Sequence, residues 1–231
     1  MNVLILGSGG REHAFAWKAA KSSLCKKLLI APGNAGTSEL GTNVDIGVND
    51  FESIKGLVLD EEVEIVIVGP EDPLVNGLAD RLRKSGKKVF GPGSDGARLE
   101  GSKAWMKQVL NEAGVATARH GSFTDEKQAL DFLDNMGDLF VIKTDGLAAG
   151  KGVLVTEDRA EAADAVKSYL TGDAFGDAGK TIIIEEGLTG PELSVLAICD
   201  GEQAFALSPA QDFKRIGDGD TGLNTGGMGA Y

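Results

Sequence analysis

The 231-residue chain carries 35 Asp and Glu against 23 Lys and Arg, a formal net charge of −12, and 42% of it is hydrophobic. That acidic balance argues against a general nucleic-acid surface, which needs a cationic footprint. The length suggests two domains, able to bury roughly 70% of the unfolded surface without staples.

The chain opens on Val3-Leu-Ile-Leu6, a buried-strand signal, followed at once by Gly7-Ser-Gly-Gly10-Arg-Glu-His13. A helix is predicted over 14–21, with Ala14, Phe15, Trp17 and Ala20 toward one side. Met1–Gly7 has no basic n-region, and its apolar run is too short for a signal peptide or a membrane span. A cytoplasmic protein without a membrane partner is expected. Gly7-x-Gly9 fits the first two glycines of a dinucleotide fingerprint, but Glu12 takes the third position. Ala31-Pro32 stands where an acid would close the second strand on a ribose. NAD binding is therefore disfavoured, whereas amides at a helix start, with Arg11 adding a cation, suit a single phosphate. His13 has no acid or thiol near it in sequence and reads as structural or orienting.

A second strand, Leu28-Leu-Ile-Ala31, ends at Pro32-Gly-Asn-Ala-Gly-Thr37. A short strand at 44–46, a helix N-capped by Asp50 and a strand at 64–68 follow, then Gly69-Pro-Glu-Asp-Pro73 and one amphipathic helix over 74–84. Lys88-Val-Phe90 meets Gly91-Pro-Gly93. This βαβ alternation predicts a parallel sheet with helices on both faces and ligands beyond the carboxyl ends of its strands.

Ser102 is placed as the cap of a helix reaching Leu110, with Lys103 in its first turn, and Gly114 breaks it. A helix near 125–133 leads to Val141-Ile-Lys-Thr-Asp-Gly-Leu-Ala-Ala-Gly-Lys-Gly-Val-Leu-Val155. Gly146, Gly150 and Gly152 with Lys143 and Lys151 suggest a polyphosphate, because backbone amides approach its oxygens closely and ammonium groups balance its charge. It is not a P-loop: three residues rather than four separate Gly146 from Gly150, Gly152 replaces the hydroxyl, and a strand follows instead of a helix. A β-hairpin laid over phosphates and an ordinary glycine-rich hairpin with solvated lysines fit these residues equally.

A helix over 157–170 and a strand at 181–186 ending in Glu185-Glu186 come next; a solvated strand end accounts for those two carboxylates on sequence alone. Antiparallel strands are predicted over 192–198 and 203–207, so the topology changes and a second domain begins near 102. Cys25 and Cys199, far apart and without a CxxC or histidine companion, are expected as reduced, mostly buried thiols. The last stretch, 211–231, holds six glycines between 217 and 229. A flexible loop of this kind is normally held between elements that position it, so the chain is expected to be the N-terminal portion of something longer.

Seven stretches, in order along the whole chain, together carry a resemblance. They are Gly7–His13, Pro32–Gly36, Val68–Leu74, Lys143–Gly152, Glu185-Glu186, Gln211–Arg215 and Asn224–Ala230. In these the chain resembles the phosphoribosylamine–glycine ligase (glycinamide ribonucleotide synthetase) family of the ATP-grasp superfamily. The resemblance implies an α/β fold. A doubly wound parallel-sheet (pre-ATP-grasp) domain over 1–101 would precede a truncated α+β ATP-grasp domain over 102–231. The latter would carry a β-hairpin lid within a lid subdomain at about 119–188.

The implied enzyme is a ligase forming a C–N bond in purine synthesis. ATP and glycine would give glycyl phosphate, which the amine of 5-phosphoribosylamine attacks, yielding glycinamide ribonucleotide, ADP and phosphate. Lys103 and Lys143 would meet the ATP phosphates, each contact on the order of 4 kcal/mol at about 4 Å before desolvation. Gly150, Lys151 and Gly152 would belong to the closing lid. Adenine would lie along a strand edge at Glu185, Glu186 and Leu188, with Glu192 on the ribose. The Glu-x-x-Leu-x-x-x-Glu spacing favours this over a solvated strand end. Asp212 would take the glycine amine, and Lys214 and Arg215 a phosphate or carboxylate; Lys143, Asp212 and Arg215 are the catalytic candidates. Asn224, Gly226 and Gly227 would offer donors to substrate. Gly9, Gly10, Arg11, Glu71 and Asp72 would hold 5-phosphoribosylamine, unless Asp72 simply caps the helix at Pro73.

ATP and Mg²⁺ are the implied cofactors. The family's metal-ligating Glu and Asn have no match here and are expected beyond residue 231; Glu157, Asp158 and Asp220 lack their context. Glycine and 5-phosphoribosylamine are the expected partners, with no nucleic acid, and a monomer is the expected state. The other readings are a nucleotide-binding module without turnover and, disfavoured by Glu12, an NAD-dependent oxidoreductase.

Overall fold

The computed structural model describes residues 1–146, 152–171, 180–219, 221–225 and 227. The first elements are β1 (Asn2–Gly7), α1 (Gly10–Ala20), β2 (Lys27–Pro32), β3 (Thr42–Asn43), α2 (Phe51–Asp60) and β4 (Ile65–Val68). Then come α3 (Glu71–Val75), α4 (Leu78–Lys84) and β5 (Lys88–Phe90). The strands form one parallel sheet in the order β3-β2-β1-β4-β5. Leu4, Leu6, Leu29, Val66 and Val68 pack one face against α2 and α4, while Val3, Ile5, Leu28 and Ile30 meet Ala16 of α1 on the other. Alternate residues of a strand point to opposite faces, so apolar runs like Val3–Leu6 are what a sheet covered on both sides requires.

Three expectations shift in this sheet. Helix α1 starts at Gly10 rather than 14, because the Glu12 carboxylate reaches back to accept the Gly9 N–H at 2.8 Å and caps the earlier start. Trp17 is exposed instead of packed, with the Lys21 ammonium 3.3 Å from its ring centroid; Ala16 faces the core in its place. The helix foreseen over 74–84 is two, because Gly77 takes a left-handed conformation (φ 84°) between α3 and α4. Asp50 caps α2 as expected, accepting from Ser53 N at 3.1 Å.

Helices α5 (Ser94–Gly101) and α6 (Lys103–Glu112) lead to β6 (His120–Phe123), α7 (Glu126–Leu133), β7 (Phe140–Thr144), β8 (Val153–Thr156), α8 (Arg159–Leu170) and β9 (Ile182–Glu186). The four strands make an antiparallel sheet in the order β6-β9-β7-β8, whose β7–β8 hairpin is the strand–loop–strand unit expected from the sequence. Helix α8 begins at Arg159, two residues late, because Asp158 is its N-cap and accepts from Ala160 and Glu161. Phe140, Ile142, Ile182 and Ile184 bury one face against α7 and α8. The pairing Val141↔Glu185 and Lys143↔Ile183 puts Val141, Lys143, Ile183 and Glu185 on the opposite face.

The chain parts into two compact units, Met1–Glu186 and Gly187–Tyr231. The boundary expected near 102 thus falls inside the first unit, at Ser102, the single residue between α5 and α6. In the second unit β10 (Glu192–Ser194) and β11 (Ala197–Cys199) replace the single strand foreseen over 192–198. β12 (Ala204–Ala206), β13 (Ala210–Asp212), β14 (Arg215–Gly217) and β15 (Thr221–Asn224) follow. The split arises because β10 pairs with β13 while β11 pairs with β12. Cys25 is half-buried and Cys199 exposed, so the expectation of buried thiols fails at Cys199, which lies on a two-stranded ribbon. Among the described residues no helix is long and apolar enough to cross a membrane.

Candidate active site

The base of the hairpin gathers charge. Lys143, on the face away from α7 and α8, donates to Oε2 of Glu185 at 2.8 Å. The two are diagonal neighbours on paired strands, within reach of long side chains. Oε1 of Glu185 lies 3.2 Å from the ammonium of Lys107, a buried lysine the sequence reading had not singled out. Burial would raise the Glu185 pKa, but the Lys143 hydrogen bond and the two ammonium charges outweigh it and hold the carboxyl below its ordinary range.

Lys103 donates to the Gly146 carbonyl at 2.8 Å, so the first lysine of α6 is tied to the start of the hairpin loop. Burial depresses its pKa, Asp145 and Glu100 oppose the change, and the neighbouring Lys143 charge adds to it. Asp145 fastens the same corner: it accepts from Ser102 Oγ at 3.0 Å and from Ala104 N at 3.2 Å, while Ser102 caps α6 through Trp105 N. Of the proposed lid, Gly152 is buried and its carbonyl accepts from Thr144 N at 2.9 Å. Gly150 and Lys151 lie outside the described residues.

One expectation is corrected here. Strand β9 is interior to its sheet, with Glu185 opposite His120 of β6 and Val141 of β7. Its backbone offers no strand edge at that position, and the edges of this sheet are β6 and β8. The Glu185 side chain belongs to the ion-paired cluster with Lys107 and Lys143. Glu186 is likewise engaged, its N–H on Arg119 O and its carboxylate accepting from Arg119 N at 2.8 Å.

In the second unit the antiparallel register sets Glu192 opposite Asp212. Lys214 joins them, 2.7 Å from Asp212 and 3.3 Å from Glu192. The Asp212 hydrogen bond, against partial burial and with help from Glu192, raises the Lys214 pKa. Glu192, Asp212, Lys214, Arg215 and Asp218 line a cavity of about 600 Å³. Arg215 donates to the Gly222 carbonyl at 2.8 Å and holds the β14–β15 turn. Gly227 lies so close to the buried Asp212 that a Cβ there would stand 2.6 Å from Oδ1. Leu188 is exposed, the backbone of Asn224 pairs with Arg215, and Gly226 lies outside the described residues.

At the carboxyl end of the parallel sheet, Arg11 donates to Glu12 at 2.8 Å and lies 3.7 Å from Glu71. The Gly9 amide reserved for a phosphate is taken by Glu12, whose buried carboxylate also rests against Gly7 and Gly69. Gly10 has open space where a Cβ would stand. Asp72 is not a cap, because α3 starts from Pro70; it accepts from Asn49 and, at 3.2 Å, from Asn76. His13 packs its ring against Gly36, in keeping with a structural or orienting role. Gly7→Ala is expected to cost about 1–3 kcal/mol in urea unfolding. A Cβ there would sit 2.6 Å from Glu12 Cγ, at a backbone φ of 126°. An unchanged midpoint would show that Glu12 moves aside freely.

Residues 1–100 match the family model described as the phosphoribosylglycinamide synthetase N domain, and residues 101–231 that of its ATP-grasp (A) domain. The chain belongs to the phosphoribosylglycinamide synthetase family. It is 50% identical to a phosphoribosylamine–glycine ligase of Escherichia coli and 48% to one of Haemophilus influenzae, in each case over all of this chain and 54% of the relative. The chain thus spans about half the length of the curated relatives it matches. A crystal structure of phosphoribosylamine–glycine ligase from Thermotoga maritima superposes with a TM-score of 0.81 at 34% identity, covering 99% of this chain and 54% of that one. Biotin carboxylase from Campylobacter jejuni, in a β-γ-ATP complex, gives 0.69 at 19% identity over 91% and 51%, a likeness of fold alone.

Family membership accounts for the doubly wound sheet and the partial ATP-grasp sheet with its hairpin. Lys107 and Asp145 were missed in the sequence. The signal for Lys107 was its spacing of four from Lys103, which sets both on one face of α6. Among the described residues no group of three His, Cys, Asp or Glu side chains could hold a metal ion.

Proposed function

We propose that this chain carries the ATP-binding and substrate-binding parts of a ligase that joins glycine to 5-phosphoribosylamine. The observation that carries the reading is the cluster of Lys103, Lys143 and Glu185 at the mouth of a glycine-rich hairpin, on the sheet face away from α7 and α8. ATP, when bound, supplies the phosphoryl group that activates a carboxylate. Lys143 and Lys103 neutralise its phosphates, and the hairpin excludes water. Asp212, with Lys214 beside it, takes the ammonium of glycine, and Arg215 faces the same cavity with a guanidinium suited to an anion. Arg11 and Gly10 receive the phosphate of the second substrate at the carboxyl end of the parallel sheet.

The test is ADP release from Mg·ATP by the protein that contains this chain. Release is expected only when glycine and 5-phosphoribosylamine are both supplied. ADP release that proceeds at the same rate without glycine would refute the ligase reading and favour a nucleotide-binding module with adventitious hydrolysis.

A further inference from the structure

Lys107 has no part in the function proposed above, yet its surroundings are those of a working charge. It stands one turn after Lys103 on α6, 4% exposed. Its ammonium donates to Thr117 Oγ1 at 2.6 Å and lies 3.2 Å from Oε1 of Glu185. That oxygen has no aligned hydrogen-bond donor among the described residues, whereas Oε2 takes the 2.8 Å bond from Lys143. Two cations thus divide one buried carboxylate, and Lys143 is the more exposed of them.

A buried carboxylate stripped of its cation is strongly unfavourable. With Lys143 as its sole partner, Glu185 would hold that lysine back from any incoming anion, because the exchange would strand the carboxylate. With Lys107 on the other oxygen, Lys143 can leave while Glu185 stays compensated. We propose that Lys107 is a positioning residue that retains Glu185 through Oε1, so that Lys143 can exchange the carboxylate for the phosphates of a nucleotide. The nucleotide in this proposal rests on the ATP-dependent reading above; the sharing of Glu185 does not.

Acylation of Lys143 by sulfo-N-hydroxysuccinimide acetate at one fixed pH, followed by peptide mass spectrometry, reads how tightly that lysine is held in the ligand-free chain. In Lys107→Met the rate at Lys143 is expected to fall about tenfold, the scale of one charge-assisted hydrogen bond, and Lys107→Arg should restore it. In a Glu185→Gln background Lys107→Met should change nothing. Should Lys107→Met not fold, Lys107→Gln removes the charge while keeping donors. A rate that rises or stays level in folded Lys107→Met or Lys107→Gln would mean a merely structural lysine and would overturn the proposal. An effect that persists without the Glu185 carboxylate would overturn it equally. Calorimetry with Mg·ATP on the corresponding variants of the protein that contains this chain should show about tenfold weaker binding in Lys107→Met. If the wild-type protein that contains this chain neither binds Mg·ATP nor has Lys143 shielded by it, the nucleotide reading fails, and the labelling series still decides how Glu185 is shared.

Discussion

Replacing Glu185 with alanine is expected to destabilise the chain by about 3–5 kcal/mol, the cost of removing one partner from a buried ion cluster. The side chain is 7% exposed and stands between Lys107 at 5% and Lys143 at 25%, so its loss leaves two ammonium groups side by side without their anion. Solvent relieves Lys143 in part; Lys107 keeps only Thr117 among the partners described. Because typical domains are stable by only about 5–15 kcal/mol, a loss of this size is expected to appear as a large fall in the urea midpoint. A change below about 1 kcal/mol, the range of exposed surface pairs, would contradict the burial argument.

The same variant carries a pH signature. In the folded chain the Glu185 pKa lies below its ordinary value. A carboxyl depressed in this way stabilises the fold above its unfolded pKa, and the contribution is lost as pH falls through the folded value. The stability gap between wild type and Glu185→Ala is therefore expected to narrow on acidification below the ordinary carboxylate range. A gap that widens would reverse the sign of the proposed coupling.

Lys143→Met is expected to act on turnover far more than on stability. Glu185 retains Lys107 in this variant, so the fold loses one of two cations rather than the anion both share. Turnover, measured in the protein that contains this chain, should fall about 100- to 1,000-fold, as when a preorganised donor to developing charge is removed. A drop confined to KM for ATP would mean that Lys143 only binds ground-state phosphate. Unchanged kinetics would remove Lys143 from the site.

Much of this architecture was legible because it is written locally. Asp50 and Ser102 cap their helices through amides three residues on, which sequence order alone reveals. Val3–Leu6 and Ile65–Val68 read as strands covered on both faces, and the Gly146–Gly152 loop between two apolar runs read as a hairpin. What escaped depends on partners far along the chain. Glu12 looked only like a failed glycine, because its contact with Gly69 spans most of the first sheet's sequence. Lys107 looked like one more solvated helix lysine until β9 brought Glu185 to it. The 192–198 strand broke in two because β11 found β12 rather than β13, a choice that alternation of residue types does not encode.

Glu12 also bears on which cofactors can compete for the molecule. Its carboxylate fills the turn between β1 and α1, held by the Gly9 amide and Arg11. The amide that a dinucleotide fingerprint would offer is thus engaged by the chain's own side chain, and freeing it would cost the contact on which the start of α1 depends.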